Sequence, residues 1–224
     1  MVKAVELNNC PVCGGRDIRT GVYWPAIPAH TVVLHHSREA ARDQLCGDMS
    51  LANCRNCGFV FNKVYDQSLH HYSDDYEATQ SFSGTFNAFN EQIAADIAVA
   101  CRNAGGPVVE VGCGQGEFLV LLRKHGIGRL IGFDPAFDVA RSAIAGMTEI
   151  AVERSCFKSN MVETAAAAIV CKMTLEHIAQ PVAFLGDIAG LARNSVNCPV
   201  FIQVPNAKEV FSKIAFWDVY YEHC

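Results

Sequence analysis

From about residue 88 onward, short apolar runs alternate with longer amphipathic segments. The short runs have the length of strands and predict strands over 107–111, 129–133, 149–152, 167–171 and 199–204. The amphipathic segments predict helices over 89–104, 117–125, 136–145 and 181–193. Strands that alternate with helices pair in parallel through right-handed crossovers. The pattern therefore predicts an α/β fold with a doubly wound, mostly parallel sheet.

The first part of the chain has a different pattern. Residues 1–66 show little helical periodicity and contain two Cys-x-x-Cys pairs, whereas residues 67–87 form a polar and aromatic stretch. We therefore divide the chain into a small cysteine-bearing module (1–66), a connector (67–87) and an α/β domain (88–224). A chain of 224 residues is long enough for one or two domains with a sizeable core.

Composition and charge argue against several classes of protein. Half of the residues are hydrophobic and 18% are charged, which argues against disorder. The formal net charge is −5, whereas a nonspecific nucleic-acid binder carries a basic surface. No apolar run has the length of a membrane span, and the N-terminus lacks the basic and apolar pattern of a signal peptide. We expect a cytoplasmic protein that binds neither nucleic acid nor membranes.

A glycine-rich turn joins the first predicted strand of the α/β domain to the next helix. It contains Gly112, Gly114 and Gly116, and glycine permits a ligand to approach the backbone closely. In a doubly wound sheet this turn lies at the carboxyl edge, where cofactors bind. Glu110 precedes the turn, and Asp134 ends the next strand, where a carboxylate can accept the hydroxyls of a ribose. The alternative is a tight turn with an incidental acid at the strand end.

The spacing of the glycines distinguishes between cofactors. A dinucleotide fingerprint has its third glycine one position later, where this chain has Glu117. The E-x-G-x-G-x-G pattern resembles the first motif of class I S-adenosylmethionine-dependent methyltransferases, which implies that Glu110 orients the methionine ammonium. The cofactor-binding residues that the resemblance implies are Glu110, Gly112, Cys113, Gly114, Gly116, Asp134 and Pro135. A nicotinamide oxidoreductase shares the ribose acid and stays an alternative.

Eleven cysteines are many for a chain without a secretion signal, which favours metal ligands and buried thiols over disulfides. Four of them lie in two Cys-x-x-Cys-Gly turns, Cys10 with Cys13 and Cys54 with Cys57. Two such turns complete a tetrahedral Cys₄ zinc site. Because four protein ligands leave no coordination position open, we expect a zinc ion that stabilises the fold and takes no part in catalysis.

Two alternatives stay open for these cysteines. Forty residues separate the two turns, which is longer than the usual zinc-ribbon gap. This insert contains His35, His36 and Cys46, which could serve as other ligands. The second alternative is a redox or vestigial role, although a redox pair is expected beside a βαβ pattern and neither pair lies there.

Three further motifs indicate a particular group within the class I methyltransferases. Leu-Glu-His at 175–177 follows the fourth predicted strand, Val-Pro-Asn at 204–206 follows the fifth, and Tyr-Tyr-Glu-His occupies 220–223. Together with the cysteine turns and the aromatic connector, they resemble the C-methyltransferases that carry an N-terminal zinc ribbon and act on keto-deoxysugar nucleotides, and their natural-product relatives. The resemblance covers essentially the whole chain.

This resemblance implies a site that methylates a carbon next to a ketone, with the connector over it. His223 would be the base that removes the proton, Glu222 and Tyr220 would lie beside it, and His177 and Tyr76 would complete the substrate pocket. The chemistry agrees, because removal of such a proton needs a base with a pKa near neutrality, and histidine has one. The implied acceptor is a small molecule such as a nucleotide sugar. His177 as a loop cap and Tyr220 as a packing aromatic are the alternatives.

Members of that family continue well past the Glu-His pair, whereas this chain stops at Cys224. We therefore expect a missing C-terminal domain or a partner chain, and an exposed apolar sheet edge. The predicted activity is S-adenosylmethionine-dependent methylation of a natural-product intermediate. The alternatives are methylation at oxygen or nitrogen, and a remnant that binds a cofactor or a partner without catalysis.

Overall fold

The computed structural model describes residues 6–69, 79–144 and 146–224. Contacts between Cα atoms group the chain into two compact units. The first unit contains the described residues within 1–77, 175–184 and 204–224, and the second contains those within 78–174 and 185–203. The predicted boundaries at residues 66 and 87 stay a prediction. Tyr76 lies outside the described residues.

The described ranges contain eight strands and five α-helices, together with short 3₁₀ turns. The strands are β1 (Ile18–Pro28), β2 (Cys46–Cys54), β3 (Val60–Asn62), β4 (Val108–Val111), β5 (Leu130–Phe133), β6 (Ile150–Glu153), β7 (Ala168–Lys172) and β8 (Val200–Gln203). The α-helices are α1 (Arg38–Arg42), α2 (Gly84–Ala100), α3 (Glu117–Lys124), α4 (Pro181–Arg193) and α5 (Ala207–Ser212). None of these helices combines the length and the apolar character that crossing a bilayer requires.

The first unit is built on a small antiparallel sheet in the order β1-β2-β3. Its apolar core contains the buried side chains of Ala29, Met49 and Tyr221. The ring of Tyr221 packs on that of Tyr65, with the centroids 5.4 Å apart, and its hydroxyl accepts the backbone N–H of Asp66 at 2.9 Å. Tyr221 thereby joins the segment after α5 to the core of this unit.

The second unit is built on a parallel sheet in the order β6-β5-β4-β7-β8. Every residue of the central strands β4 and β7 is buried. Strands that are covered on both faces consist mostly of apolar residues, which explains their sequences, VVEV and AIVCK. Helix α3 buries Phe118, Leu119 and Leu122 along one face, as an amphipathic helix does. The predicted α/β fold with a mostly parallel, doubly wound sheet is confirmed.

One predicted helix is wrong. Residues 136–145 were expected to be helical, but the described part of this range has only a 3₁₀ turn at Val139–Arg141. The Gln115 side chain donates to the carbonyl of Ala136 (3.1 Å) and accepts the N–H of Asp138 (3.0 Å). The Asp138 carboxylate in turn accepts the N–H of Ala140 (2.9 Å). These side chains take backbone groups that a helix would need for its own hydrogen bonds.

Candidate functional site

The glycine loop follows β4 at the point where the order of the strands reverses. The chain proceeds outward from β4 through β5 to β6, and then places β7 on the other side of β4. The crevice beyond the carboxyl ends of β4 and β7 is therefore the topological switch point, where open α/β sheets bind ligands. Gly112, Gly114 and Gly116 have φ angles of +76°, +53° and +84°, which favour glycine over residues with a side chain.

The three glycines of the loop have different surroundings. A Cβ atom at Gly112 would lie 2.0 Å from Oγ1 of Thr174, and one at Gly116 would lie 2.7 Å from Cγ2 of Ile144. A Cβ atom at Gly114 would meet no atom of the described residues within 4 Å. Gly112 and Gly116 therefore pack against the protein, whereas Gly114 faces space that a ligand can fill.

Asp134 directly follows β5 and is bound to the loop. Its Oδ2 accepts the N–H of Gly114 at 2.8 Å, and its Oδ1 accepts the N–H of Ala136 at 2.8 Å. Burial raises the pKa of this carboxyl, and the two N–H groups oppose that shift. A carboxylate held in this way keeps lone pairs for the hydroxyls of a ribose. The neighbouring Pro135 accepts the Nε–H of Arg154 through its carbonyl oxygen at 3.4 Å.

Glu110 is buried within β4, with 2% of its surface exposed, and its Oε2 has no hydrogen-bond partner among the described residues. Loss of hydration raises the pKa of Glu110 to about 8, while the positive charge of Lys172 opposes the shift and Asp134 adds to it. A buried carboxylate oxygen without a partner is costly, and a cationic ligand group would relieve that cost. This environment fits the predicted contact with an ammonium.

Lys172, the last residue of β7, is a residue of this site that the sequence analysis missed. It is buried, its Nζ donates to Oδ1 of Asn90 at 2.6 Å, and Nζ lies 4.3 Å from the centroid of the Phe118 ring. Burial lowers the pKa of Lys172, and Glu110 opposes that shift. The signal that could have revealed it is a lysine that ends an apolar strand at the ligand-binding edge of the sheet.

Cys113 supports the loop from inside the second unit. Its side chain is buried, and burial raises the pKa of the thiol, with Glu110 and then Asp134 adding to the shift. A Cβ atom at Gly132 of β5 would lie 2.6 Å from its Sγ. A neutral buried thiol packs as a small apolar group. The side chain of Cys113 therefore fills space under the loop.

The cysteine turns of the first unit meet. The four Sγ atoms of Cys10, Cys13, Cys54 and Cys57 lie within 4.8 Å of one another, with 3.7 Å between Cys10 and Cys57 and 3.5 Å between Cys13 and Cys54. A tetrahedron with Zn–S bonds of about 2.3 Å has sulfur–sulfur edges of about 3.8 Å. These distances are far longer than the ~2.05 Å of a disulfide bond. The cluster therefore fits a zinc ion held by four thiolates.

Both turns depend on the glycine that follows them. Gly14 and Gly58 have φ angles of +71° and +79°, and their N–H groups donate to the carbonyls of Cys10 (2.9 Å) and Cys54 (2.8 Å). The pKa of Cys54 is lowered to about 7, and the largest cause is the hydrogen bond that its sulfur accepts from the backbone N–H of Cys57. The other residues that the sequence offered as ligands, His35, His36 and Cys46, are absent from the cysteine cluster of the described residues.

The predicted catalytic residues of the first unit also meet. The ring centroid of His223 lies 5.0 Å from that of His177 and 5.0 Å from that of Tyr220. The Nδ1 of His177 lies 3.2 Å from the carbonyl oxygen of Glu222. Because a carbonyl oxygen only accepts, Nδ1 carries the proton and Nε2 is an acceptor. The carboxylate of Glu222 accepts the backbone N–H of Thr31 at 2.6 Å.

Burial changes the ionisation of this cluster. It lowers the pKa of His223 to about 4, with His177 adding to the shift and Glu222 opposing it, and it lowers the pKa of His177 as well. Both rings are therefore neutral at physiological pH, and the pKa of His223 lies below the near-neutral value expected from sequence. Glu176, which the sequence analysis did not assign to the site, has two buried carboxylate oxygens without hydrogen-bond partners in the described structure. Burial raises the pKa of Glu176 to about 7.

Glu176 joins the two histidines in one group. The possible ligand atoms of Glu176, His177 and His223 all lie within 4.8 Å of one another. The backbone carbonyl of Glu176 also accepts the N–H of Cys224 at 3.0 Å, which holds the end of the described chain against this group. A carboxyl group that titrates near neutrality thus lies beside two neutral imidazoles. These three side chains together can accept and transfer protons.

A family model described as a methyltransferase domain matches residues 86–224. No curated protein sequence gives a significant match. Solved structures with a similar fold include the plantazolicin methyltransferase BpumL in complex with SAH (16% identity over 64% of this chain and 56% of that chain, TM-score 0.47). They also include DesVI from Streptomyces venezuelae (14% identity, 58% and 59%, TM-score 0.41).

A third similar structure is CalS10, an amino pentose methyltransferase from Micromonospora echinaspora (14% identity, 57% of this chain and 55% of that chain, TM-score 0.39). This chain thus spans less than two thirds of the length of each of the three proteins. The family model, by contrast, covers more than half of this chain, with its match at residues 86–224. The chain therefore belongs to the methyltransferase domain family.

Proposed function

We propose that this protein is an S-adenosylmethionine-dependent methyltransferase that acts on a small molecule. The observation that carries the proposal is the switch-point site, in which buried Glu110, open Gly114 and anchored Asp134 lie in a methyltransferase domain. When bound, S-adenosylmethionine supplies an electrophilic methyl group. The donor set fits this cofactor, because its ammonium and ribose hydroxyls are hydrogen-bond donors for two carboxylates.

Each residue of this site has a binding role in the proposal. Glu110 accepts the methionine ammonium, directly or through water, and uses the Oε2 that has no partner in the described residues. Asp134 accepts the ribose hydroxyls while Gly114 and Ala136 hold its carboxylate in place. Gly114 leaves room for the cofactor because a side chain there would occupy the open space.

We further propose that the methylated atom is a carbon next to a ketone, in a keto-deoxysugar nucleotide or a related natural-product intermediate. His223 would take the α-proton from carbon onto its neutral ring, which leaves the electron pair of the C–H bond on the acceptor as an enolate. The negative charge of Glu222 favours the imidazolium that forms, since it opposes the lowering of the His223 pKa. His177, Tyr220 and Tyr76 would complete the pocket, and the motifs at 175–177 and 220–223 support this choice of acceptor.

The cofactor assignment can be tested by calorimetric titration of the full chain with S-adenosylhomocysteine. The Asp134→Ala variant should bind at least about tenfold more weakly, because each hydrogen bond to a charged group contributes about 1.5–3 kcal/mol. Asp96→Ala, a change of an exposed aspartate on α2, is the matched control and should bind like the wild type.

Three results would change the assignment. Absence of binding to both S-adenosylmethionine and S-adenosylhomocysteine would contradict it. Binding of a nicotinamide dinucleotide in their place would favour an oxidoreductase. Tight binding without methyl transfer to any acceptor in a broad panel would favour a protein that binds the cofactor without catalysis.

A further inference from the structure

Lys172 and Glu110 project from the same face of the sheet at the switch point. In the parallel pairing of β4 with β7, Glu110 lies opposite Val170. Side chains alternate between the two faces of a strand, so Lys172, two residues after Val170, lies on the face of Val170 and Glu110. An acidic and a basic side chain are therefore diagonal neighbours at the carboxyl edge of adjacent strands, where the proposed cofactor site begins.

These two buried ionisable groups influence each other without forming an ion pair. Each shifts the pKa of the other, yet in the described part of the chain Oε2 of Glu110 has no hydrogen-bond partner. Buried ions are stable only when their charges and hydrogen bonds are compensated. Glu110 thus offers an acceptor, and Lys172 offers donors, to a third group.

The surroundings of Lys172 favour an anionic oxygen as its further partner. An ammonium has three N–H donors, and Asn90 is the acceptor that the described residues provide, at 2.6 Å. The rings of Phe118 and Phe86 lie 4.3 and 5.6 Å from Nζ and stabilise the charge through cation–π contacts, but they accept no conventional hydrogen bond. A ligand that carries a cation beside its anion would suit both residues, because the cation would favour the ionised form of Glu110.

We propose that Lys172 binds the carboxylate of the methionine moiety of the donor, while Glu110 binds its ammonium, so that the pair selects for an intact α-amino acid end. This inference rests on the proposed use of S-adenosylmethionine. An α-amino acid carries its ammonium and carboxylate on one carbon, which matches two opposite charges on neighbouring strands. The selection is directed at the methionine end alone and is independent of the ribose contact of Asp134.

The test compares two ligands that differ only in this carboxylate. S-adenosylhomocysteine and its decarboxylated analogue, 5′-deoxy-5′-(3-aminopropylthio)adenosine, are titrated into the full-length wild type and into Lys172→Met. The wild type should prefer S-adenosylhomocysteine by about 10–100-fold, the size expected for a charge-assisted hydrogen bond. Lys172→Met should lose this preference through weaker binding of S-adenosylhomocysteine, with binding of the analogue nearly unchanged. Lys124→Met, at an exposed position on α3, should behave like the wild type.

The outcomes separate the inference from the proposed function. Equal affinity of the wild type for both ligands would overturn the inference and leave the proposed function standing. An equal loss of affinity for both ligands in a folded Lys172→Met variant would also overturn the inference, since Lys172 would then act on the site as a whole. If Lys172→Met does not fold, Lys172→Arg should keep the preference, and loss of the preference there would count against the inference. Failure of the wild type to bind either methionine cofactor would overturn both.

Discussion

Buried ionisable side chains mark the candidate sites at the scale of single residues. Glu110 and Lys172 lie in central strands of the second unit, and Glu176 follows β7 in the first unit. Desolvation favours the neutral form of each group, so it raises the pKa of the two acids and lowers the pKa of the lysine. Such costly groups concentrate where proteins bind ligands or transfer protons.

Glu176 should make the first unit less stable as the pH rises. Its pKa increases from an ordinary 4.5 to about 7 on folding, so the folded state holds the proton more tightly than the unfolded state. The associated stability is complete below about pH 4.5 and is lost as the pH rises to about 7. Glu176→Gln should therefore unfold like the wild type near pH 4.5 and should be about 1–3 kcal/mol more stable than the wild type at pH 8.

This change can be followed by denaturant unfolding with tryptophan fluorescence. Trp24 and Trp217, the two tryptophans of the chain, both belong to the first unit. Glu163→Gln, at an exposed position of the second unit, is the control and should show no such pH-dependent gain. A gain for Glu176→Gln of the same size at pH 4.5 and pH 8 would mean that ionisation of Glu176 is not its cause.

At the scale of elements, side-chain hydrogen bonds in one place and glycines with a positive φ in another determine the local backbone structure. After β5, the residues around Asp138 bind the side chain of Gln115 and form a 3₁₀ turn in place of the predicted helix. In the first unit, the cysteine turns close through the backbone N–H groups of Gly14 and Gly58. Local composition alone does not determine these elements. The 3₁₀ turn depends on a side chain from the glycine loop, and the cysteine turns depend on glycines that adopt a positive φ.

The cysteine cluster should contain one structural zinc ion per chain. Cys10→Ser should lose the metal and unfold or strongly destabilise the first unit, because metal binding and folding are coupled in such small modules. The affinity for S-adenosylhomocysteine should stay within about twofold of that of the wild type, since Glu110 and Asp134 belong to the second unit. Metal analysis, tryptophan fluorescence and calorimetry measure the three effects.

Cys46→Ser is the matched control for this prediction. Cys46 is an exposed cysteine at the start of β2 and lies outside the cysteine cluster. The variant should retain the metal and the stability of the wild type. A wild-type protein that contains no zinc, with four freely reactive thiols in the folded state, would contradict a structural site.

At the scale of the whole molecule, the proposed reaction needs proton removal as well as cofactor binding, and different residues carry the two tasks. His223 is the proposed base, whereas Glu110 and Asp134 are the proposed cofactor residues. His223→Ala should therefore reduce methyl transfer by about 10²–10⁴-fold, the usual contribution of a general base, while the affinity for S-adenosylhomocysteine stays unchanged. The same variant should stop the exchange of deuterium from solvent into the α-position of a nucleotide-linked 4-keto-6-deoxysugar when S-adenosylhomocysteine replaces the donor.

His35→Ala, at an exposed position of the first unit, should exchange deuterium like the wild type. Equal exchange in His223→Ala and the wild type would assign the deprotonation to another residue, with His177 or Tyr220 next. Loss of cofactor binding in His223→Ala would show that this segment has a structural role. Strand β8, at the edge of the described sheet, exposes its apolar residues Val200 and Ile202, as the sequence predicted for an apolar sheet edge.

The sequence by itself determined the features that depend on near neighbours in the chain. The alternation of apolar runs with amphipathic segments predicted the parallel sheet, because the period of each segment reflects which of its faces are buried. The glycine spacing after β4 predicted the family of the domain, and the two Cys-x-x-Cys turns predicted a cluster that the fold assembles.

Only the tertiary structure decided the features that depend on distant parts of the chain. The role of Lys172 arises from the register of β7 against β4, which places it beside Glu110 across more than sixty residues of sequence. The grouping of Glu176 with His223 and the low pKa of that histidine arise from burial, which a linear pattern does not contain. Desolvation and strand register act between segments that are far apart in sequence, so the sequence could name the histidine but not its ionisation.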